Sequence, residues 1–299
     1  MDWYRNNKKE WKEIIETVAR EIGRSEEIVE KDTIQSMFLH NLNNTNKQIV
    51  FKGGTSLSKV YNVIDRFSED IDLSSVEKLT ETDKKKLDED IKNTAYSMGL
   101  DLINDIDIKS RYNYNKYYFS YNSLFATNKL EILVETNFFL KVFPVEEREV
   151  SSLIGNFCKN KGVKLPIRFD EVMTKMNVQS IKRTFIDKVF AVCDYKIQNM
   201  EERDSRHLYD ISKIVNVIKL DEDLKSLIKQ VRVERQKSKN NPSASSQYDI
   251  NNLLLEIIST RFYENDFNKV TKKLLYESID YDDIIRSGIM LVVDSGIFK

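Results

Sequence analysis

Residues 51–74 read FKGGTSLSKVYNVIDRFSEDIDLS, and this stretch decides the fold. The apolar run Gln48–Lys52 predicts a short strand that ends at a pair of glycines. Thr55–Val63 predicts a helix that is capped by Thr55 or Ser56. Asp70–Leu73 then predicts a second strand. The stretch therefore indicates a strand, a glycine turn, a helix and a further strand.

The glycine turn, Gly53-Gly54, is suited to binding phosphate. The start of a helix presents backbone N–H groups and the positive end of the helix dipole, and glycine lets phosphate oxygens approach the backbone closely. The patterns GxxxxGK[ST] and GxGxxG are absent from the stretch. An ordinary strand-to-helix turn is the alternative interpretation.

The acidic triplet Asp70-Ile71-Asp72 is suited to binding a metal ion. Residues separated by one position on a strand point to the same face, so both carboxylates can reach one divalent ion. Mg²⁺ commonly uses one or two protein carboxylates together with water and substrate phosphate. A solvated strand face is the alternative, and Asp105-Ile106-Asp107 has the same spacing without a glycine turn before it. The conjunction of turn and triplet favours 70–72 as the site.

Nucleotidyl transfer with two metal ions also requires a third carboxylate on an adjacent strand. The predicted strand Lys129–Phe139 offers Glu131 and Glu135, which share a face. Glu135 is favoured because it lies deeper in the apolar run, where an acid needs a partner. The choice between the two stays open.

Composition excludes several classes of protein. The 47 basic residues balance 48 acidic ones, giving a net charge of −1. Two cysteines without a CxxC pattern indicate a reducing compartment, and the two histidines lack zinc-ligand spacing. The N-terminus has no apolar leader region, and the apolar runs are too short to cross a bilayer. We therefore expect a cytoplasmic protein without a membrane partner.

The pattern of elements predicts an α+β fold followed by an all-α region. The predicted domains are residues 1–150 and 151–299, because the pattern changes near Pro144 and helices are expected from Phe169 onward. Further predicted elements are helices at Trp11–Arg20, Val29–Leu42 and Thr82–Met98 and strands at Leu102–Lys109, Tyr114–Tyr121 and Lys129–Phe139.

Five motifs together resemble the AbiEii-type abortive-infection toxins, nucleotidyltransferases of type IV toxin–antitoxin systems in the DNA-polymerase-β-like superfamily. FKGGTSLSKVY followed by RFSEDIDLS resembles the core motif, and IVEKDTIQSMFL resembles the helix that precedes it. VETNFF resembles the family's ExN strand, while TFIDKVFAVCDYK and RDSRHLYDISKI resemble its two helical motifs. The similarity covers residues 28–215 in the expected order.

The resemblance implies a nucleotidyltransferase-fold N-terminal domain with a mixed sheet, a helical C-terminal domain, an NTP substrate and Mg²⁺. It implies that Gly53, Gly54 and Thr55 bind the triphosphate with Ser68 beside it, and that Asp70 and Asp72 hold metal. Lys188 and Asp210 would complete the active site from the helical domain. The chain has Asp187 where many relatives have Glu, and His207 at a variable position.

For several of the charged residues, the chemistry of the side chain allows a structural role as well as a functional one. Lys188 lies among apolar residues and would need an anion if buried, but it could also reach the surface or pair with Asp187 or Asp194. Asp210 could pair with Arg203 or Arg206 in a surface ion pair. For Lys59 and Arg66, phosphate binding and ordinary solvated charge are equally plausible.

The acceptor is less well specified than the nucleotide. Basic residues concentrate in Lys159–Arg183 and Lys229–Lys239, with Phe157 and Phe169 nearby, as expected of a nucleic-acid surface or of solvated helix faces. The resemblance implies RNA, with the 3′ end of tRNA as the leading acceptor; a protein hydroxyl, that of Ser68 included, is the alternative.

The sequence as a whole leads to the hypothesis of a phage-defence toxin that transfers a nucleotidyl group from an NTP to RNA and has a cognate antitoxin. In this mechanism Asp210 orients the nucleotide or acts as a base. Two alternatives stay open: a non-catalytic module that binds nucleotide or RNA, and a phosphotransferase acting on a protein hydroxyl.

Overall fold

The computed structural model describes residues 7–109, 111–163 and 173–299. They form two compact units: unit 1 comprises the described residues of Met1–Val60 and Glu69–Val178, and unit 2 comprises Tyr61–Ser68 and Gln179–Lys299. The division after Val178 differs from the domain boundary expected at residue 150. It lies later because two further strands join the sheet of unit 1.

Unit 1 is built on a mixed seven-stranded sheet of spatial order β3-β4-β5-β2-β1-β7-β6. The pairs β1–β2, β3–β4 and β4–β5 are antiparallel, whereas β1–β7 and β2–β5 are parallel. This confirms the predicted α+β class. The strands are β1 (Ile49–Lys52), β2 (Asp70–Ser75), β3 (Asp101–Leu102), β4 (Tyr114–Asn122), β5 (Lys129–Asn137), β6 (Val145–Ser151) and β7 (Met173–Gln179).

The helices of unit 1 have recognisable ends. Gly23 ends the first one in the left-handed region at φ 66°, and the Ser25 side chain accepts a hydrogen bond from Ile28 N–H at the start of the second. Thr80 and Asp83 form a reciprocal capping box. The helices are α1 (Lys8–Ile22), α2 (Glu26–Thr45), α3 (Gly53–Lys59), α4 (Glu81–Ser97) and α5 (Leu153–Lys161).

The two faces of the central strands differ in burial. Ile71 and Leu73 of β2 are buried, as is Val134 of β5, whereas the alternating residues Asp70, Asp72 and Glu135 are half-buried. Helices α2 and α4 pack on the apolar face: the rings of Phe38 and Phe119 lie 6.0 Å apart, and Tyr117 Oη donates to Asp88 at 3.0 Å. The acidic residues therefore share the other, more open face.

The predicted bounds of the helix after the glycine turn were wrong. Helix α3 begins at Gly53 and ends at Lys59, two residues before Thr55 was expected to open it and four before Val63. Thr55 does not cap the helix, because its hydroxyl donates to the carbonyl oxygen of Asp70 at 2.6 Å. The hydroxyl thus ties α3 to β2.

The strand predicted at Leu102–Lys109 is mostly absent: β3 ends at Leu102 and a 3-10 turn spans Asp105–Asp107. The Asn104 side chain explains the difference. Its amide donates to the Lys116 carbonyl oxygen at 2.9 Å and accepts from Tyr118 N–H at 3.0 Å. A side chain thus takes hydrogen bonds that a longer backbone ladder would have used.

Helices were expected from Phe169 onward; Phe169 itself lies outside the described residues. The first described element beyond it is a strand, β7, whose Asn177 and Val178 pair with Val50 and Phe51 of β1. The segment lacks a clear alternating pattern, so its strand conformation depends on its partner in the sheet.

Unit 2 is helical, which confirms the expected all-α character of the C-terminal region. Its helices are α6 (Ile181–Ile197), α7 (Arg206–Ile214), α8 (Glu222–Arg235), α9 (Ile250–Ser259), α10 (Glu264–Asp266), α11 (Lys272–Leu274), α12 (Tyr281–Ile284) and α13 (Met290–Ser295), with π-helical turns at Phe267–Thr271 and Ile285–Ile289.

The segment Tyr61–Ser68 belongs to unit 2 although its neighbours in the chain belong to unit 1. It is held by the last residue of α11 and by the residues that follow this helix. Phe67 N–H donates to the Leu274 carbonyl oxygen at 2.8 Å, and Tyr276 N–H donates to that of Asp65 at 3.1 Å. The C-terminal residues, for which sequence reasoning offered no role, therefore hold the backbone around Arg66.

No helix within the described residues is long and apolar enough to cross a membrane. Cys158 and Cys193 are both free and buried, and burial raises the pKa of each thiol. Both cysteines are thus core residues that carry no disulfide.

Candidate functional site

The carboxylate of Asp72 lies directly against the glycine turn. Gly53 has φ 75°, and a Cβ at this position would lie 1.8 Å from Asp72 Oδ2. Both the left-handed backbone and the close approach therefore require glycine. The predicted phosphate turn and the predicted metal ligands are consequently neighbours within unit 1.

A row of charged residues crosses four strands at this level of the sheet. Asp72 is paired with Lys52 of β1 and with Glu135 of β5, and Glu135 is in turn paired with Lys116 of β4. Lys116 Nζ lies 2.6 Å from Glu135 Oε1. Burial by itself lowers the pKa of Lys116, but the hydrogen bond and charge of Glu135 raise it above its usual value.

The register places Glu135, and not Glu131, beside Asp72. Glu131 lies four positions earlier on β5, is exposed and pairs with Ser120. Glu135 therefore is the better candidate for a third carboxylate, although its ion pair with Lys116 already compensates its charge. The second acidic triplet, Asp105–Asp107, forms the exposed 3-10 turn, and Asp105 pairs with Lys92.

The acidic residues fit a magnesium ion that is shared with a substrate. Among the described residues, no group of three or more His, Cys, Asp or Glu side chains is arranged to hold a metal ion by itself. Asp70 and Asp72 offer hard oxygen ligands on one strand, and Mg²⁺ usually completes its shell with water and phosphate oxygens. A carboxylate packed against the glycine turn would repel a triphosphate at that turn unless its charge were neutralised by a cation.

Lys59 has partners inside unit 1. Its Nζ donates to the carbonyl oxygen of Asp32 at 2.9 Å and to Ser36 Oγ at 2.8 Å, and it forms an ion pair with the Asp32 carboxylate. The side chain of Lys59 is 2% exposed. These contacts give Lys59 a role in holding α3 to α2, apart from any role toward phosphate.

Unit 2 contains a buried cluster of two cations and one carboxylate. Arg66 binds Asp210 with two hydrogen bonds, Nε to Oδ1 at 2.7 Å and Nη2 to Oδ2 at 2.8 Å. Lys188 Nζ lies 2.6 Å from Asp210 Oδ2. All three side chains are at most 7% exposed. The cluster brings together three residues that were predicted separately.

The observed partners differ from those considered for these residues on sequence grounds. Asp210 pairs with Arg66 and Lys188, not with Arg203 or Arg206, and its ion pairs are buried. Asp187 and Asp194, the partners considered for Lys188, instead bind Arg235 at 3.1 and 2.7 Å. Sequence proximity failed here because the actual partner of Asp210, Arg66, lies 144 positions away.

The environment of the cluster sets its protonation. Burial by itself raises the pKa of Asp210, but the charges of Arg66 and Lys188 hold it well below its usual range. Burial lowers the pKa of Lys188, against the effect of Asp210. The Asp210 carboxylate is therefore held in its ionised form between Arg66 and Lys188.

His207 completes the cluster and was not proposed as a functional residue from the sequence. Its Nδ1 lies 3.3 Å from Lys188 Nζ. Burial and the adjacent charge of Lys188 lower the pKa of His207 to about 3. The imidazole is therefore neutral at pH 7 and accepts a hydrogen bond from the Lys188 ammonium. Ser68, half-buried, lies two residues after Arg66 in the same unit.

Comparison with protein families gives a match over residues 38–287 to the family described as nucleotidyl transferase AbiEii toxin, type IV TA system. This range spans most of the chain, including both the acidic strand and the cluster around Asp210. The chain belongs to the AbiEii family. The resemblance found in the sequence motifs is thereby confirmed.

Two solved structures from Helicobacter pylori are similar to this AbiEii-family protein. One, of a protein proposed to be a nucleotidyltransferase, is 17% identical, with a TM-score of 0.47 over 92% of this chain and 95% of that one. The other, JHP933, is 16% identical, with a TM-score of 0.43 over 89% and 90% of the respective chains. A comparison with curated proteins finds no match.

The basic stretches considered for nucleic-acid binding are partly used inside the AbiEii-family protein. Arg183 is buried and pairs with Asp187 at 3.0 Å, and Arg232 donates to the carbonyl oxygens of Ala244 and Ser245. Part of Lys159–Arg183 lies outside the described residues. These arginines therefore contribute less to an exposed basic surface than their number in the sequence indicates.

The sequence reasoning missed two partners of the candidate site residues in this protein, Lys116 beside Glu135 and His207 beside Lys188. No local pattern marks either residue, because each is defined by what the fold places beside it. For Lys116, the only available signal was its position in an alternating strand, which puts it on one face with Tyr114 and Tyr118.

Proposed function

We propose that this protein is an Mg²⁺-dependent nucleotidyltransferase that transfers a nucleotidyl group from an NTP to the 3′-hydroxyl of an RNA, with the 3′ end of tRNA as acceptor. The observation that carries the proposal is the contact between the Asp72 carboxylate and Gly53, at the start of α3, in a member of the AbiEii family.

Asp70 and Asp72 would hold the metal ion, and the backbone N–H groups at Gly53, Gly54 and Thr55 would bind phosphate oxygens. When bound by these residues, Mg²⁺ would supply charge neutralisation and activation of a hydroxyl nucleophile. The Thr55 hydroxyl, bound to the Asp70 carbonyl oxygen at 2.6 Å, would keep the turn and the acidic strand in register. Glu135 would support Asp72 from the neighbouring strand.

Lys188 and Arg66 are proposed to bind the phosphates of the nucleotide, and Asp210 to orient them. Two buried cations face a single carboxylate in this cluster. Buried charge is unfavourable unless it is compensated, so the excess positive charge favours the binding of an anion. A triphosphate supplies that charge, and hydrogen bonds from charged donors to phosphate oxygens are strong.

An RNA acceptor is supported by exposed aromatic residues at one end of β4 and β5. Tyr112 is 57%, Tyr114 38% and Phe139 56% exposed. Lys109 Nζ lies 5.0 Å from the centre of the Tyr112 ring and Lys116 Nζ 5.9 Å from that of Tyr114. Exposed rings next to cations suit the stacking of unpaired bases beside a phosphate backbone. This favours RNA over a protein hydroxyl.

The family is one of toxins of type IV toxin–antitoxin systems. We therefore propose that the activity inhibits growth, as in phage defence by abortive infection, and that a cognate antitoxin protein encoded nearby neutralises it.

The proposal is tested by incubating the purified protein with each α-³²P-labelled NTP and total RNA, with and without Mg²⁺, followed by sequencing of the extended RNA. We expect label in RNA only with Mg²⁺, and none with Asp72→Asn. Asp107→Asn, which changes the second acidic triplet, is the matched control and should label RNA like the wild type.

Three results would contradict the proposal. Label that enters RNA equally with Asp72→Asn would exclude the acidic strand as the site. Label that enters protein from γ-³²P-labelled NTP in a parallel reaction, with none in RNA from the α-labelled NTP, would indicate a phosphotransferase. Nucleotide binding that needs no Mg²⁺ and gives no turnover would indicate a binding module.

A further inference from the structure

Helix α2 contacts the segment that carries the proposed site at two places. The contacts come from two pairs of side chains, each spaced four residues apart and therefore neighbouring on the helix surface. Lys31 and Gln35 form one pair, and Asp32 and Ser36 form the other. All of these residues lie in unit 1.

The first pair holds the residue that immediately precedes the acidic strand. Lys31 Nζ lies 2.5 Å from Glu69 Oε2, and Gln35 Nε2 donates to the Glu69 carbonyl oxygen at 2.5 Å. Gln35 is 2% exposed. Because Glu69 adjoins Asp70, its side chain and its peptide group together determine where β2 begins.

The second pair holds the end of α3. Lys59 Nζ contacts the carboxylate and carbonyl oxygen of Asp32 and the hydroxyl of Ser36. The second carboxylate oxygen of Asp32 accepts from Leu153 N–H at 2.6 Å, at the start of α5. A buried pair whose carboxylate and ammonium are both further hydrogen-bonded is well placed to fix geometry.

We propose that α2 is a positioning helix for the nucleotidyl-transfer site. Lys31 and Gln35 place Asp70, and Asp32 and Ser36 place the glycine turn through Lys59. These residues act through the segment and need not touch substrate. The transfer reaction rests on the proposed function, whereas the placement of Asp70 and Asp72 can be measured without it.

The test uses the full-length double variant Lys31→Met/Gln35→Leu and the conservative variant Lys31→Arg. Lys129→Met is the matched control, because Lys129 forms an exposed ion pair with Asp101 in the same unit. Three quantities are measured: the affinity for Mn²⁺ by electron paramagnetic resonance, amide exchange of peptides covering residues 69–75, and kcat and KM for NTP.

For the double variant we expect Mn²⁺ affinity to fall about 3- to 10-fold and amide exchange near Asp70 to rise about 10-fold, as a local hydrogen-bond loss would produce. We expect kcat to fall about 10-fold at saturating metal, with KM for NTP changed less than about 3-fold. Lys31→Arg, which keeps a cation beside Glu69, should retain most of the wild-type value of each quantity, and Lys129→Met should match the wild type within about 2-fold.

A double variant that loses melting temperature but keeps wild-type Mn²⁺ affinity and local exchange would show that α2 is only structural and would overturn the inference. If the double variant does not fold, Lys31→Met alone is compared with Lys31→Arg by the same criteria. Wild-type protein that binds Mn²⁺ through Asp72 but transfers no nucleotide would contradict the proposed function and leave the positioning role supported.

Discussion

Each unit contains a buried lysine that faces an aspartate, and the two pairs differ in charge balance. In unit 1, Lys59 meets Asp32, one cation against one carboxylate. In unit 2, Lys188 shares Asp210 with Arg66, so that two cations face one carboxylate. Burial lowers the pKa of both lysines against the effect of their aspartates. The first pair is complete by itself, whereas the second has excess positive charge.

This difference in charge balance distinguishes the structural pair, Lys59 and Asp32, from the candidate anion-binding group around Lys188. Lys59 also donates to two neutral oxygens, those of Ser36 and the Asp32 backbone. Lys188 has a neutral acceptor, the ring nitrogen of His207 at 3.3 Å, and it shares its carboxylate with Arg66. An ammonium that is surrounded by its own acceptors gains little from an added anion, whereas a cluster with excess charge gains more. Buried charge alone therefore does not indicate function; the balance of charges does.

The variant Lys188→Met should show the largest effect, and this effect should be on activity and not on stability. We expect nucleotidyl transfer to fall about 1,000-fold, about 4 kcal/mol of transition-state stabilisation. The free energy of unfolding should change by less than about 1 kcal/mol, because Asp210 keeps its bidentate arginine and one buried charge is removed. Labelled transfer assays and urea titrations measure the two quantities. A loss of stability as large as the loss of activity would contradict the comparison.

The matching change in unit 1, Lys59→Met, should mainly lower the free energy of unfolding. It leaves the carboxylate of Asp32, whose side chain is 15% exposed, without its ammonium, and breaking a largely buried pair costs about 3 kcal/mol. Urea unfolding followed by circular dichroism measures the loss. If Lys59→Met is no less stable than Lys188→Met, the two pairs do not differ in the way proposed.

Acid should destabilise the cluster of unit 2 through His207. The folded-state pKa of about 3 lies below the ordinary value of 6.5. Its contribution to stability is therefore present above pH 6.5 and is lost as pH falls from 6.5 toward 3, because the unfolded chain binds the proton first. At pH 5 the loss relative to pH 7.5 should be about 2 kcal/mol.

The control for this prediction is His207→Asn, whose amide oxygen can still accept from Lys188 but does not titrate. Urea unfolding of both proteins at pH 5 and at pH 7.5 isolates the histidine. An equal pH dependence in wild type and variant would contradict the assigned protonation state.

The smallest expected effect is the binding of an anion to the protein when no reaction takes place. Millimolar tripolyphosphate without metal should raise the melting temperature of wild-type protein by a few degrees, equivalent to about 1 kcal/mol, by binding the folded state. The shift should disappear in Lys188→Met and persist in the metal-ligand variant Asp72→Asn. Thermal scans monitored by fluorescence measure it, and a shift that survives in Lys188→Met would place the anion elsewhere.

Much of unit 1 was predictable because its signals are local. The glycine turn, the alternation of β2 and the aromatic alternation of β4 lie within a few residues of the features they specify. The α+β class and the family followed from them. The bounds of α3 did not, because Thr55 uses its hydroxyl on the Asp70 carbonyl oxygen and not as a cap. Strand β7 was missed because its conformation depends on pairing with β1.

The local sequence was sufficient to identify the candidate functional groups. They are a glycine that tolerates φ 75°, two carboxylates on one strand face, and a lysine in an apolar helix. The residues that contact these groups could be identified only from the tertiary structure. It placed Asp72 against Gly53 and Glu135 beside Asp72, and it brought Arg66 to Asp210. Local conformation depends mainly on residues that are neighbours in the chain. The charge balance of a buried cluster depends on distant residues, because packing brings their side chains together where water is excluded.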